Sequence, residues 1–350
     1  MRIVVDAMGS DRFPHPDVEG SVLAAREYGV EIILVGDEQI IRPALEAQQP
    51  GGLTKRITIV HAPEMLTMED KGMALVLKAK RKNARNSMAV GIDLVKNGEA
   101  DAFVTAGNTG AASTTAYFRL GTLPGVDRPA TVGPFPTRKG TCLVLDIGVN
   151  PDCKPLNLLQ FAVMGSIYAE KMRGVKNPRV GLLSNGEEAG KGNQLVKETY
   201  PLLAASGLNF IGNVEGKEVF AGEADVVVTD GFTGNVFLKA TEAVAKLLLE
   251  TIREKIQSAP PLAKLGGWLV KPTLQGLRAM LDPSHEGAAP LLGVNGLVFI
   301  GHGRSDALAI KNAVRVAKQA VEADVLSSIR DDIARRLAQT PQPVSEAAHA

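Results

Sequence analysis

Cysteine is scarce, with two residues in 350, at positions 142 and 153. That excludes a disulfide framework and leaves no cysteine-based zinc motif. Histidine is scarce too: the five, at 15, 61, 285, 302 and 349, lack metal-ligand spacing, and no metal is expected. Aromatic residues are only 4%, which argues against an all-β sandwich. An excess of one charge is missing, since 39 Lys and Arg nearly cancel 38 Asp and Glu for a net +1. A global basic field for nucleic acid is thereby excluded, and any electrostatic partner site must be a local patch. No uninterrupted run of about 18 apolar residues is present to span a bilayer. The opening MRIVVDAMGSD reads as a strand entering a loop, without the apolar segment and cleavage site of a secretory signal. The expected location is the reducing cytoplasm.

What is present is an ordinary globular balance, 45% hydrophobic and 22% charged, with 36 Gly. Short apolar runs recur at residues 2–7, 31–35, 57–60, 102–105, 141–147, 179–183, 209–212, 225–229 and 297–300. Most are continuous rather than alternating, as strands buried on both faces of a parallel sheet should be. Amphipathic stretches at 17–28, 71–83, 87–97, 156–172, 236–256 and 306–323 lie between them. This alternation predicts an α/β fold with a doubly wound, Rossmann-like, mostly parallel sheet. Boundary signals are the Pro-, Gly- and Thr-rich stretch 125–139 and the Pro260-Pro261 break. We expect a single α/β catalytic domain over 1–335, a helical protrusion at about 250–290 and a flexible tail over 336–350.

In open α/β sheets, ligands bind at the carboxyl ends of strands. Here those ends carry Gly beside Asn or Asp five times. The clusters are Asp6–Asp11, Ala106–Ala111, Asp146–Asn150, Ser184–Asn193 and Thr229–Asn235. Turns and helix caps use the same residues, so a single cluster would mean little, but five on one predicted edge favour an anion site. Familiar motifs fail. Gly107-Asn108-Thr109-Gly110 lacks the dinucleotide spacing. The segment from Gly186 to Gly192 is one residue short of a P-loop and has Gly where Ser or Thr would hold Mg²⁺. No G-x-S-x-G elbow occurs. Cys142 sits in an apolar run and reads as inert. Cys153, beside Lys154, reads as structural before nucleophilic. With no metal cluster, nucleotide fingerprint or evident nucleophile, the pattern suits a reaction in which phosphate itself attacks and the protein positions it.

At these residues the chain resembles the bacterial acyl-carrier-protein–phosphate acyltransferases of phospholipid synthesis. The resemblance covers roughly residues 1–323. It is carried by Val5–Gly9, Ala106–Ala111, Met164–Ala169, Gly186–Glu188 with Lys191–Asn193, Asn213–Gly216, Asp230–Asn235, Ala289–Gly296, Gly301–Gly303 and Ser305–Ala307. Two blocks depart: Ser10-Asp11-Arg12 stands where the family has Gly-Asp-His, and Ser184-Asn185 precedes Gly186 in place of Asn-Ile. The resemblance implies transfer of a long-chain acyl group from acyl-carrier protein to inorganic phosphate, giving acyl phosphate. It also implies a homodimer, a fold similar to phosphotransacetylases and isopropylmalate dehydrogenases, and a membrane-bound glycerol-3-phosphate acyltransferase as acceptor of the product. No metal or organic cofactor is implied.

On this basis Asn108, Thr109 and Gly110 are candidates to hold phosphate, with Asp6, Gly9, Asn150, Asn193 and Gly234 as further binding candidates. Lys191 would supply positive charge and Asn235 would donate to the thioester oxygen. Asp230 would orient or deprotonate phosphate, or only cap a helix, and His302 is a proton carrier or a structural hydrogen bonder. Lys78, Lys80, Arg81, Lys82 and Arg85 form a basic run, either a solvated helix face or a dock for the acidic carrier protein. The stripe containing Leu265, Trp268 and Leu269 is either a peripheral membrane contact or a packing face. The alternatives are a phosphotransacetylase-type enzyme using acyl-CoA and a catalytically silent scaffold. A decarboxylating dehydrogenase would need a metal-binding Asp set and a nicotinamide site, neither of which is legible.

Overall fold

The computed structural model describes residues 1–49, 51–53, 55–67, 69–262, 264–266, 269–270, 276 and 283–339. Its elements begin β1 (Arg2–Asp6), α1 (His15–Tyr28), β2 (Glu31–Gly36), α2 (Glu38–Ala47), β3 (Ile57–His61), α3 (Gly72–Lys80), α4 (Ser87–Lys96), β4 (Ala102–Thr105) and α5 (Thr109–Leu120). Next come β5 (Ala130–Thr137), β6 (Gly140–Leu145), α6 (Pro155–Arg173), β7 (Val180–Leu183), α7 (Gln194–Ala204), β8 (Phe210–Val214), α8 (Gly216–Ala221), β9 (Val226–Val228) and α9 (Gly231–Ser258). The last are β10 (Ala289–Leu292), β11 (Leu297–Ile300), α10 (Ala307–Glu322) and α11 (Val325–Gln339). Two compact units emerge. The first comprises residues 1–120, 232–291 and 296–319; the second comprises 121–231, 292–295 and those from 320 on.

In the first unit the strand order is β3-β2-β1-β4-β11-β10. β3, β2, β1, β4 and β11 run parallel, and β10 is antiparallel to β11. The chain builds outward from β1 to β2 and β3, then returns to place β4 on the other side of β1. That reversal opens a crevice at the carboxyl ends of β1 and β4. The strands are buried on both faces, with Ile3, Leu34, Phe103 and Phe299 fully enclosed, which explains their continuous apolar composition.

The second unit has the order β5-β6-β9-β7-β8. β6, β9, β7 and β8 are parallel, and β5 runs antiparallel to β6. α6 is buried on every side from Asn157 to Ala169, so its sequence lacks the polar face of a surface helix. The nine expected strands are all present, and both units have the mostly parallel α/β arrangement read from the sequence. Two further strands, β5 and β10, were not foreseen. β5 lies inside the Pro- and Gly-rich stretch read as a boundary. Its Pro134 and Pro136 fall at alternate positions, so the missing N–H groups all lie on one edge of the strand. α9 ends two residues before Pro260, and residues 336–339 of the expected tail are helical. Residues 340–350 lie outside the described residues, as does part of the expected protrusion.

Tight helix–sheet contact explains one glycine. A Cβ on Gly91 of α4 would lie 2.8 Å from Phe103 Cδ2, closer still to Phe103 Cε2, and 3.1 Å from Val4 Cγ1. Alanine improves helix propensity by about 1 kcal/mol, whereas overpacking a filled core costs about 1–3 kcal/mol. Because Phe103 and Val4 are fully buried, the clash should win. Gly91→Ala is expected to lower the thermal midpoint by several degrees; an unchanged or higher midpoint would contradict this packing.

Candidate functional site

In the first unit the crevice is lined by a buried aspartate. Asp6 ends β1 and is 1% exposed. Its Oδ1 accepts from the Met8 amide at 3.1 Å, and its Oδ2 from Thr105 Oγ1 at 2.8 Å. Thr105, the last residue of β4, accepts in turn from the Gly107 amide at 3.0 Å. The two loops press together over this contact. A Cβ on Gly9 would lie 2.8 Å from Thr105 Oγ1 and 3.0 Å from both Asp6 Oδ2 and the Gly107 nitrogen. Asp6 and Gly9 therefore shape the crevice from beneath. Burial raises the Asp6 carboxyl above the ordinary range, against hydrogen bonds from Ser87, Thr105 and Met8 that lower it.

Above this floor α5 begins. Asn108 Oδ1 accepts from the Ala111 amide at 3.2 Å, and Asn108 O from Ala112 at 2.9 Å. The first-turn amides of Thr109 and Gly110 have no intrahelical acceptor, and both residues are exposed. An exposed pair of amides at a positive helix end is suited to an oxyanion. Asn235 and Gly234 lie in the first turn of α9, Asn235 exposed and Gly234 buried. Two turns on, Glu242 pairs with Lys239 at 2.9 Å and lies 3.7 Å from His302 Nε2. Burial holds the His302 pKa below its usual value despite Glu242, so the ring is neutral at pH 7.

The second unit repeats the strand-end aspartate. Asp146 follows β6, is 0% exposed, and accepts from Thr131, Gly148, Val149 and Asn150. Asn150 O accepts from the Gly231 amide at 2.7 Å, next to Asp230, which is 9% exposed at the end of β9. Asn150 is thus a buried structural link. Cys153 Sγ donates to Asn150 O at 3.5 Å. Burial, with the charges of Asp146 and Asp230, pushes its thiol up to about 12, which removes it as a nucleophile at neutral pH. Asn193 caps α7, accepting from Val196 N at 3.0 Å, and Lys191 is exposed. The structure thus gathers Asn150 and Asp230 in the second unit, and Asp6, Gly9 and Asn108–Gly110 in the first.

Several groups escaped the sequence reading. Asp17 is fully buried on α1, accepts from Ser10 Oγ at 2.6 Å, and has an Oδ1 without a partner. Glu187, Glu215 and Glu218 converge, but Lys217 Nζ lies 2.9, 3.1 and 3.4 Å from them. The chain's own ammonium fills the place a cation would take. In the basic run Lys78 is paired with Asp70 at 2.5 Å, and Lys80 lies 4.3 Å from the Phe118 ring centroid. Arg81, Lys82 and Arg85 are exposed. Exposed Met73 and Leu77 share α3 with Lys78 and Lys80. Leu265 and Leu269 are exposed, while Trp268 lies outside the described residues. Among the described residues no helix is long and apolar enough to cross a membrane.

Comparison with known proteins gives one consistent picture. A family model described as fatty acid synthesis protein matches residues 1–328. A phosphate acyltransferase of Pelotomaculum thermopropionicum is 48% identical over 333 residues, 95% of each chain. Another, of Thermus thermophilus, is 49% identical over 94% of this chain and 98% of its own. Among solved structures, a phosphotransacetylase of Staphylococcus aureus aligns over 92% of this chain and 94% of its own, with a TM-score of 0.57 at 16% identity. One from Streptococcus pyogenes covers 93% of this chain and 94% of its own, with a TM-score of 0.56 at 19% identity. At those identities the likeness is one of fold.

Asp17 yields a stability prediction. Burial, with the nearby Asp6 charge, pushes its carboxyl up to about 8, whereas an unfolded aspartate titrates near ~3.9. Between those values the folded chain holds a proton that the unfolded chain releases, so stability falls as pH rises from about 4 to about 8. Asp17→Asn keeps the shape without the titration. Its thermal midpoint minus that of the wild type should therefore grow as pH rises across that window. A difference independent of pH would show that Asp17 does not carry the effect.

Proposed function

The chain belongs to the fatty acid synthesis protein family, as a relative of curated phosphate acyltransferases, and from this we propose that it transfers a long-chain acyl group from a thioester to inorganic phosphate. The observation that carries the reading is identity of 48–49% to phosphate acyltransferases over nearly the whole of both chains. The proposed donor is acyl-carrier protein. A phosphate oxygen attacks the thioester carbonyl, the tetrahedral oxyanion collapses, and the carrier leaves as thiolate that takes up a proton. A thiol pKa of about 8.5 makes that leaving group a good one, so the main demand is on the oxyanion.

The roles we assign follow from this. The amides of Thr109 and Gly110, with Asn108 fixing the turn, hold phosphate. Lys191 supplies positive charge to phosphate or oxyanion, and Asn235 donates to the thioester oxygen. Asp230 orients phosphate or takes its remaining proton. His302, beside Glu242, serves the proton balance as a neutral base. Arg81, Lys82 and Arg85, with Lys80, form the dock for the acidic carrier. Lys78, already neutralised by Asp70, adds less. Leu265 and Leu269, with Trp268, rest on the membrane surface, from which a membrane-bound glycerol-3-phosphate acyltransferase takes up the product. A cytoplasmic, membrane-peripheral homodimer completes the proposal.

Purified protein given palmitoyl-acyl-carrier protein and phosphate is expected to form palmitoyl phosphate. Product from palmitoyl-CoA alone would favour the phosphotransacetylase-type alternative. Lys191→Ala should lower turnover by about 100-fold or more with the fold intact, and unchanged turnover would remove Lys191 from the mechanism. Reversing charge at Arg81, Lys82 and Arg85 should raise KM for the carrier about tenfold while leaving KM for phosphate alone. An unchanged KM would mean that the carrier docks elsewhere.

A further inference from the structure

Asp146 carries no role in the reaction proposed above, yet both of its carboxylate oxygens are fully engaged. Its Oδ1 accepts from the Thr131 amide at 3.0 Å, Thr131 Oγ1 at 2.8 Å and the Gly148 amide at 3.3 Å. Its Oδ2 accepts from the Val149 amide at 3.0 Å, the Asn150 amide at 2.7 Å and Asn150 Nδ2 at 3.0 Å. All these donors surround a residue with no exposed surface. With both oxygens engaged, the carboxylate has no free face for a substrate. Its effect must pass through what it holds.

What it holds leads to Asp230. The Asp146 amide donates to Thr229 O at 3.0 Å, and the Thr229 amide to Leu145 O at 2.6 Å. On the far side, Asn150 O accepts from the Gly231 amide at 2.7 Å. The Asn150 turn is itself pinned by Asp146 and by the bond from Asn150 Nδ2 to Pro129 O at 2.7 Å. Thr229 and Gly231, the two neighbours of Asp230, are thus both fixed by the strand end and turn that Asp146 organises. The fit leaves no slack, since a Cβ on Gly231 would lie 2.6 Å from Asp146 Oδ2 and 2.8 Å from both Asn150 N and Asn150 O.

We infer that Asp146 is a positioning residue for the acyl transfer, clamping the 229–231 segment so that the Asp230 carboxylate stands at its working place. The inference rests on the acyltransferase function proposed above and deepens it by one residue. It follows that removing Asp146 costs only what misplacing Asp230 costs.

The experiment compares full-length wild type with Asp146→Asn, Asp230→Asn, the double variant and Gly231→Ala. Palmitoyl phosphate formation and hydrogen exchange of the Asn150 and Gly231 amides are both measured. Asp146→Asn puts an amide donor among backbone donors. It is expected to lower kcat at least tenfold with KM for the carrier unchanged, and to speed exchange at both amides at least tenfold. Asp230→Asn should lower kcat without faster exchange. The double variant should be no slower than Asp230→Asn alone, because one residue acts through the other. Gly231→Ala keeps both carboxylates but displaces the segment, and should lower kcat like Asp146→Asn; it decides the matter if Asp146→Asn does not fold. Multiplicative losses in the double variant, wild-type kcat in Asp146→Asn, Asp230→Asn or Gly231→Ala, or unchanged Gly231 exchange in a folded Asp146→Asn would each overturn the inference. A wild type that makes no acyl phosphate would overturn the function itself, an outcome distinct from an active wild type with an active Asp146→Asn.

Discussion

A carboxylate withdrawn from water at the end of a strand must be met by donors, and much of the loop architecture here follows from that demand. β1 ends on a buried aspartate, Asp6, and β6 is followed directly by another, Asp146. Each accepts from a backbone amide two residues on, Met8 or Gly148, and from the hydroxyl of a threonine on an adjacent strand, Thr105 or Thr131. The device turns a strand end into a fixed loop without a helix cap. It also requires small residues where the loops meet, which is why Gly9 and Gly231 have no room for a side chain.

The two aspartates differ in how completely their charge is met, and the difference separates their roles. Asp146 is enclosed by six donor contacts. Asp6 has fewer and shares its surroundings with Asp17, whose Oδ1 is unpartnered. Two carboxyls so placed cannot both ionise cheaply, and burial moves both upward. One strand-end carboxylate is therefore met by donors on both oxygens, while the other lies near Asp17 on α1, whose carboxyl burial pushes up to about 8.

The strands were legible because burial on both faces leaves continuous apolar runs such as Ile3–Val5 or Val226–Val228. β5 was not, because Pro134 and Pro136 are ordinarily breakers and only strand pairing shows them sharing an edge. The clusters of Gly with Asn and Asp correctly marked strand ends. Sequence could not say which residues face a ligand and which face the protein: Asn108 and Asn193 are caps, and Asn150 is a buried link. Asp17 opens the amphipathic stretch 17–28, and nothing in that pattern marks it as buried. Its burial depends on Ser10 and the end of β1, a tertiary fact with no local signature. The basic run was visible, but not that Asp70 neutralises Lys78.

The place of β11 beside β4 has a consequence for biosynthesis. β4 ends at Thr105 and its partner begins at Leu297, so roughly 190 residues leave the ribosome before that edge is covered. At the usual pace of translation this takes on the order of 10–40 s. Throughout that interval the nascent first unit carries Phe103 and an unpaired row of backbone groups beside it, the kind of surface that chaperones bind and that promotes aggregation. The contiguous stretch 121–231 of the second unit emerges within the same interval, so its folding begins while the earlier sheet is still waiting for its last parallel strand.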